Sequence, residues 1–270
     1  MTLAALLATL PQRAADPAFP AHLLGAFRRH AITFCNGLTD TVTRVFWFQS
    51  RTFTIDLRLP DGAATPVDQR QGWIGDTLWD AAAGEMSWRI PASYQPHDQW
   101  PEAARLLPIG NSVIEIAPSG AYVEDWRQQA ARGPLLGLRL TAVVDTATGA
   151  SEPREGGLIV AGPHIALAVA RPSHRAAEME AYEVSVALDG DRVTWSTQSA
   201  RYGVPIVPGT FQLEPDGAVT LVQPSRTLRF VVDAHVTEMT FGAETPCTQA
   251  AASWWRREAE HLARHAVPLR

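Results

Sequence analysis

A chain of 270 residues, 46% hydrophobic and 19% charged, has the material for one large domain or two of roughly 130 residues each, and its apolar content excludes general disorder. A formal charge of -5, and the lack of any run near the ~18 apolar residues a spanning helix needs, argue against a nucleic-acid surface and a membrane span. All 23 basic residues are arginine, which excludes Schiff-base lysines and the phosphate-loop lysine.

The opening run from Thr2 to Leu10 is apolar, but no basic residue precedes it and Pro11 to Arg13 ends it. It reads as a short amphipathic helix on the body of the protein rather than an export signal, so the expected location is cytoplasmic. Cys35 and Cys247 are the only cysteines, too few for a cysteine-ligated zinc site or a disulfide scaffold.

Beyond the N-terminal segment the chain reads as short alternating strands divided by Gly, Pro and Asp turns, and the pattern repeats. The stretch ending at Pro60 resembles the one ending at Pro172. The hairpin return ending at Trp88 resembles the one ending at Trp195, and the strand and turn around Pro118 and Gly120 match those around Pro215 and Gly217. Three matches in one order predict an internal duplication, with copies at 31–134 and 135–243 forming antiparallel barrels or sandwiches. Segment 1–30 precedes them. A C-terminal helix within 244–270 is expected to pack on the body through Trp254, Trp255, Leu262 and Ala263. Asp189 and Gly190 carry the strongest hairpin-turn signal, and the stretch from Pro91 to Pro108 suggests a long loop over a barrel mouth.

The run Phe46, Trp47, Phe48, Gln49, Ser50 leads into Thr54 to Pro60. Gln71, Gly72, Trp73, Ile74 and Gly75 follow, then Glu124, Asp125, Trp126 and Arg127 after Pro118, Ser119 and Gly120. Together these resemble a family of double lipocalin-like (calycin) proteins whose fungal members are described as casein-kinase-interacting proteins. The resemblance covers residues 45–127, and the duplication carries it to about 243. It implies an all-β fold of two tandem lipocalin-like antiparallel β-barrels with flanking N- and C-terminal helices, with cavities and no established reaction. The second copy lacks counterparts of Asp56, Arg58 and the run 124–127, so a site carried by those residues transfers only to the first barrel.

Strand alternation puts Thr54, Asp56 and Arg58 on one face and Ile55, Leu57 and Leu59 on the other. In one reading Asp56 and Arg58 pair in solvent over an apolar interior. In the other they face a cavity, with Arg58 a fixed cation and Asp56 orienting it. Ala168 and Ala170, aligned with Asp56 and Arg58, favour the inside reading, because small residues enlarge a barrel interior. The expected function is therefore binding of a small apolar or amphipathic, anionic ligand by Trp47, Gln49, Asp56, Arg58, Trp88 and Trp126 in the first barrel.

The alternative is a cofactor-independent isomerase, cyclase or dehydratase in which Asp56, Glu124 or His97 moves a proton. Tyr122, Glu124 and Trp126 share a strand face, so Glu124 sits beside two aromatics. A further alternative, a protein-interaction module, has no residue signature. A second-barrel alternative places the site at His164, Ala168 and Ala170, where a roomy face would also suit a haem-ligating imidazole. His261 and His265 are spaced for a metal, yet helices rich in Arg and Glu produce that spacing by accident, and no metal site is assigned. Phosphate-loop, dinucleotide, HExxH, nucleophile-elbow and paired CxxC patterns are absent, and no cofactor is expected.

Overall fold

The computed structural model describes residues 1–13, 19–95, 102–242 and 248–267. The described residues are mostly β, with two sheets and two α-helices among them. In the first sheet β1 (Gly25–Phe34), β3 (Arg44–Gln49), β4 (Phe53–Leu59), β5 (Gln71–Asp80), β6 (Glu85–Ser93), β7 (Ala104–Ile109), β8 (Ser112–Ile116) and β9 (Tyr122–Gln128) pair in sequence order. The short β2 (Thr39–Asp40) hangs on β1. Because β1 pairs with both β3 and β9, the sheet closes into an eight-stranded antiparallel barrel. Barrels of this strand number have an interior that side chains can fill or that can hold one small ligand.

The second sheet follows the same up-and-down order through β10 (Arg132–Asp145), β12 (Gly156–Ala161), β13 (His164–Val169), β14 (Glu183–Ala187), β15 (Trp195–Ser196), β16 (Thr210–Leu213), β17 (Val219–Val222) and β18 (Arg226–Thr240), with β11 (Ser151–Pro153) beside β10. Here β10 pairs with both β12 and β18. Closure fails between β15 and β16, so a second closed barrel does not form. The first barrel is weakest at the same place in the strand order, since β6 and β7 share two residue pairs, Glu85 with Arg105 and Met86 with Ala104. In the second half the intervening chain carries Pro205, Pro208 and Gly209, and proline cannot donate to a ladder.

Two of the three sequence matches fall at equal strand rank: Pro60 and Pro172 follow the third long strand of each half, and Trp88 and Trp195 lie in the fifth. The third does not. Pro118 joins the seventh and eighth strands, whereas Pro215 joins the sixth and seventh, so the topological partner of Pro118 and Ser119 is Pro224 and Ser225.

The halves pack face to face. The row Gly157, Ala168, Val184 on the second sheet lies on the outer face of the first barrel. A Cβ at Gly157 would come within 2.7 Å of Phe53 and 2.9 Å of Ile74, and one at Gly72 within 2.9 Å of Val184. Ile55, Leu57 and Leu59 are buried in this interface with Ala166, Ala168 and Ala170. Polar bonds fasten it: Ser50 and Thr52 donate to Asp233, and Tyr182 Oη accepts from Ile74 N at 3.1 Å and donates to Ala92 O.

The other face of the second sheet encloses Leu138, Leu158, Ile165, Leu167, Val169, Phe211 and Phe230, so its interior is filled with aliphatic and aromatic bulk. This bears on the second-barrel alternative: Ala168 faces the first barrel rather than that interior, while Ala170, past the end of β13, borders a separate pocket of about 460 Å³ lined by Val169, Glu183 and four arginines. His164 is on the same outward face, its Nδ1 accepting from Asp189 N at 3.2 Å, with burial lowering its pKa, so the roomy space a haem ligand would need is not beside it.

Helix α1 (Leu3–Thr9) rests on the second half through buried Leu6, and Leu10 beyond its end is buried with it, while the terminal amine donates to Phe211 O at 2.6 Å. Helix α2 (Gln249–Leu262) departs from expectation, because none of its residues is buried and Trp254 and Trp255 are about half exposed. The apolar outer faces that it was expected to cover already cover each other. Among the described residues no helix is long and apolar enough to cross a membrane. Cys35 is exposed, and Cys247 lies outside the described residues.

Candidate functional site

Three adjacent strands build one wall of a chamber inside the first barrel. Trp47 on β3, Asp56 on β4 and Trp73 on β5 are direct cross-strand neighbours, so they share a face, and that face points inward. The chamber measures about 550 Å³. It lies toward the end formed by the last residues of β1 and β4 and the first of β5 and β9. Arg58, Trp88, Glu124 and Trp126, all expected from the sequence, line it, together with Arg29, Trp73, Glu115 and Tyr122.

Gln49 does not line the chamber. It is fully buried beneath it, accepting from Trp47 Nε1 at 2.9 Å and from Thr54 Oγ1 at 2.6 Å, while its amide nitrogen donates to Ser50 O, Phe53 O and Thr77 Oγ1. Trp88 Nε1 donates to Thr54 Oγ1 at 3.1 Å. Gln49 therefore fixes Trp47 directly and Trp88 through Thr54. His97 lies outside the described residues, as do residues 96–101 of the stretch expected to loop over the mouth; the ends of that stretch are not loop but strand, belonging to β6 through Ser93 and to β7 from Ala104.

The chamber charges form two ion-paired groups with two acids left over, Glu102, which accepts from Ser119 N and Oγ, and Glu115. Arg58 Nε and Nη2 donate to Asp56 at 2.8 and 3.4 Å. Burial opposes the charge on Arg58, but Asp56, with Glu124 and Glu115 nearby, outweighs it and lifts the guanidinium above its ordinary range. Arg29 donates to Glu124 at 2.8 Å and to Asp40 at 2.9 Å, with the Arg29 and Glu124 side chains almost wholly buried. Removing one partner of such a pair leaves an uncompensated buried charge, at a cost of about 3–5 kcal/mol.

The buried one of the two is Glu115, which faces Glu124 across the β8–β9 hairpin as its direct cross-strand partner. Like charges in that position destabilise a sheet. Glu115 accepts from Trp126 Nε1 at 2.9 Å and Tyr122 Oη at 3.2 Å. Burial and the neighbouring Glu124 push its pKa up to about 8, against the opposing pull of Arg58 and the two hydrogen bonds. Tyr122 is likewise raised by burial and by both glutamates.

Sequence reasoning missed Glu115 and Arg29. A signal was present for Glu115, because folding the strand back at Pro118 to Gly120 sets it opposite Glu124, already a candidate acid–base group. Arg29 lay within the segment expected to precede the barrel, which β1 in fact enters from Gly25. The chamber gives carboxyls, hydroxyls and indole N–H groups facing an aromatic space, a set suited to holding an amphipathic molecule or moving a proton. Comparison with protein-family models, curated proteins and solved structures finds no match to this chain.

Proposed function

We propose that the chain binds a small amphipathic molecule inside the first barrel, with Trp47, Trp73, Trp88 and Trp126 supplying apolar contact. The observation that carries this reading is a closed eight-stranded barrel around a chamber of about 550 Å³ walled by four tryptophans, whereas the pocket of about 460 Å³ in the second half is lined by four arginines and no aromatic residue. Small-molecule sites span roughly 300–1,000 Å³ and combine apolar walls with a few polar groups. The lipocalin-like reading and an origin by duplication belong to the same proposal, supported by the shared strand order and by the equal rank of Pro60 and Pro172 and of Trp88 and Trp195. In it, the second copy has kept its pattern and volume while losing closure between β15 and β16.

The anionic ligand charge expected from Arg58 is not retained, because Asp56 already occupies that guanidinium. Native mass spectrometry of the chain as purified tests the reading. A retained small-molecule mass that disappears in Trp73→Ala and Trp88→Ala but survives in Ala168→Leu is the expected result. A mass lost only in Ala168→Leu would move the site to the other half.

One observation favours a second reading, an acid–base enzyme of the isomerase, cyclase or dehydratase type. Two carboxyls in one chamber differ in surroundings: Glu115 is buried without a cation in contact, whereas Glu124 is ion-paired to Arg29. Such divergence separates an acid from a base. Glu115 would donate the proton and Glu124 accept one, with Asp56 engaged by Arg58. A bell-shaped pH–rate profile that loses its alkaline limb in Glu115→Gln is the expected signature.

A further inference from the structure

We propose that the ligand of the first barrel is an organic monocation, held against the indole faces of the chamber with its charge on the Glu115 carboxylate. This inference rests on the barrel-one reading and adds the sign of the ligand's charge.

The arginines come first. Both cations lining the chamber are committed, Arg29 to Glu124 and Asp40 and Arg58 to Asp56, at 2.8–2.9 Å. An anionic ligand would have to break a formed ion pair, and it would meet Glu115 and Glu124 as it did so.

Glu115 offers the complementary vacancy. No cation among the described residues lies within ion-pair distance of it, and its oxygens accept from one indole and one phenol. A second carboxylate stands directly across the hairpin. A positive charge placed here relieves the repulsion and satisfies the unpaired acid together.

The aromatic walls supply the third observation. Trp47 and Trp126 meet edge to face at 5.7 Å, and Trp73 and Trp88 at 5.9 Å. The guanidinium–ring contacts among the described residues are Arg139 over Phe53 and Arg171 over Tyr182, both outside the chamber, so no internal cation covers the chamber indoles. Indole faces attract cations through the ring quadrupole, and more strongly once the cation is desolvated.

Binding then proceeds as an exchange. Without ligand the Glu115 carboxyl keeps its proton; when the cation arrives the Glu115 O–H bond breaks, the proton leaves to buffer, and the carboxylate pairs with the cation. The groups facing Glu115 are Glu124 and Tyr122 on β9, Arg29 on β1, Asp56 and Arg58 on β4, and Glu102 ahead of β7. Of these Glu124 and Asp56 are ion-paired and Tyr122 is held more firmly in its neutral phenol form, whereas the Glu115 carboxyl is pushed up to about 8.

Isothermal titration calorimetry of the full chain with benzyltrimethylammonium chloride tests this, with sodium benzoate and benzyl alcohol as anionic and neutral counterparts. The ammonium is expected to bind at least about tenfold tighter than either. Titrations in buffers of different ionisation heat should report about one proton released at pH 7, with affinity rising up to about tenfold per pH unit below pH 8 and flat above. Glu115→Gln, whose side chain has the shape of the protonated acid, should remove the proton release and the pH dependence and bring the cation's affinity down to that of the alcohol. The pH series on the unaltered chain stands even if the variant folds poorly. Tightest binding by benzoate, cation affinity indifferent to pH, or no binding by the ammonium would each overturn the inference. Equal binding of alcohol and ammonium would overturn the charge sign while leaving the barrel-one reading intact, and that reading is judged separately by the co-purified mass.

Discussion

In β4 of the first barrel the inward positions are Thr54, Asp56 and Arg58, while in β13, the strand of equal rank in the second sheet, they are Ile165, Leu167 and Val169. The outward positions reverse the chemistry only in part: Ile55, Leu57 and Leu59 on one strand press against Ala166, Ala168 and Ala170 on the other. Each half thus uses the same strand for two tasks. One face sets what the interior is, and the other makes the interface. The first half keeps a polar, aromatic chamber because its apolar mass lies outside, covered by its neighbour. The second half fills its interior and thins its outer face to let the sheets approach.

The largest effect should come from the filled interior. Leu167→Ala is expected to lower stability by about 2–5 kcal/mol in urea unfolding, with the chamber's ligand binding unchanged in the folded fraction. A loss under about 1 kcal/mol would mean the second interior is looser than its packing indicates. Next comes the interface. Ala168→Leu should cost about 1–3 kcal/mol by overpacking against the first barrel, again without blocking ligand.

Glu115 sharpens the contrast through pH. Its folded pKa of about 8 lies above the ordinary 4.5, so the stability associated with its protonated form is whole below about pH 4.5 and is lost progressively as pH rises through 8. Glu115→Gln has no such loss. Thermal unfolding should find the two proteins similar near pH 4.5 and the variant more stable at pH 9, by up to about 5 kcal/mol. A difference that is constant with pH would show that Glu115 is not held neutral. The smallest change is expected at α2, where Trp254→Ala should stay within about 0.5 kcal/mol because the ring is about half exposed.

Much of this was legible in the sequence. Strand alternation, proline stops and tryptophan-terminated hairpins announced an antiparallel all-β chain with two comparable halves, and Trp47, Asp56, Arg58, Trp88, Glu124 and Trp126 do share the chamber. What failed was register. Aligning Pro60 with Pro172 set Asp56 against Ala168, but these face opposite ways, one into a barrel and the other out of a sheet. A slip of one residue exchanges the faces of a strand, and a proline after the strand does not fix which face is which. The Pro215 match failed for a related reason: turns of similar composition recur at every hairpin, so strand rank is not encoded in any one of them. The closing of one sheet and the opening of the other depend on a few backbone pairs between β6 and β7, or between β15 and β16, which hydrophobic patterning does not specify.

The central claim, that the ligand chamber belongs to the first half alone, is tested most directly by energy transfer from tryptophan to the neutral amphipathic probe N-phenyl-1-naphthylamine. Five tryptophans, Trp47, Trp73, Trp79, Trp88 and Trp126, belong to the described strands of the first barrel, against Trp195 in those of the second sheet. Thr54→Phe, which places a ring in the chamber, should abolish transfer, and Ala168→Leu should leave it unchanged. Transfer that survives Thr54→Phe and vanishes in Ala168→Leu would contradict the account and assign the site to the second half.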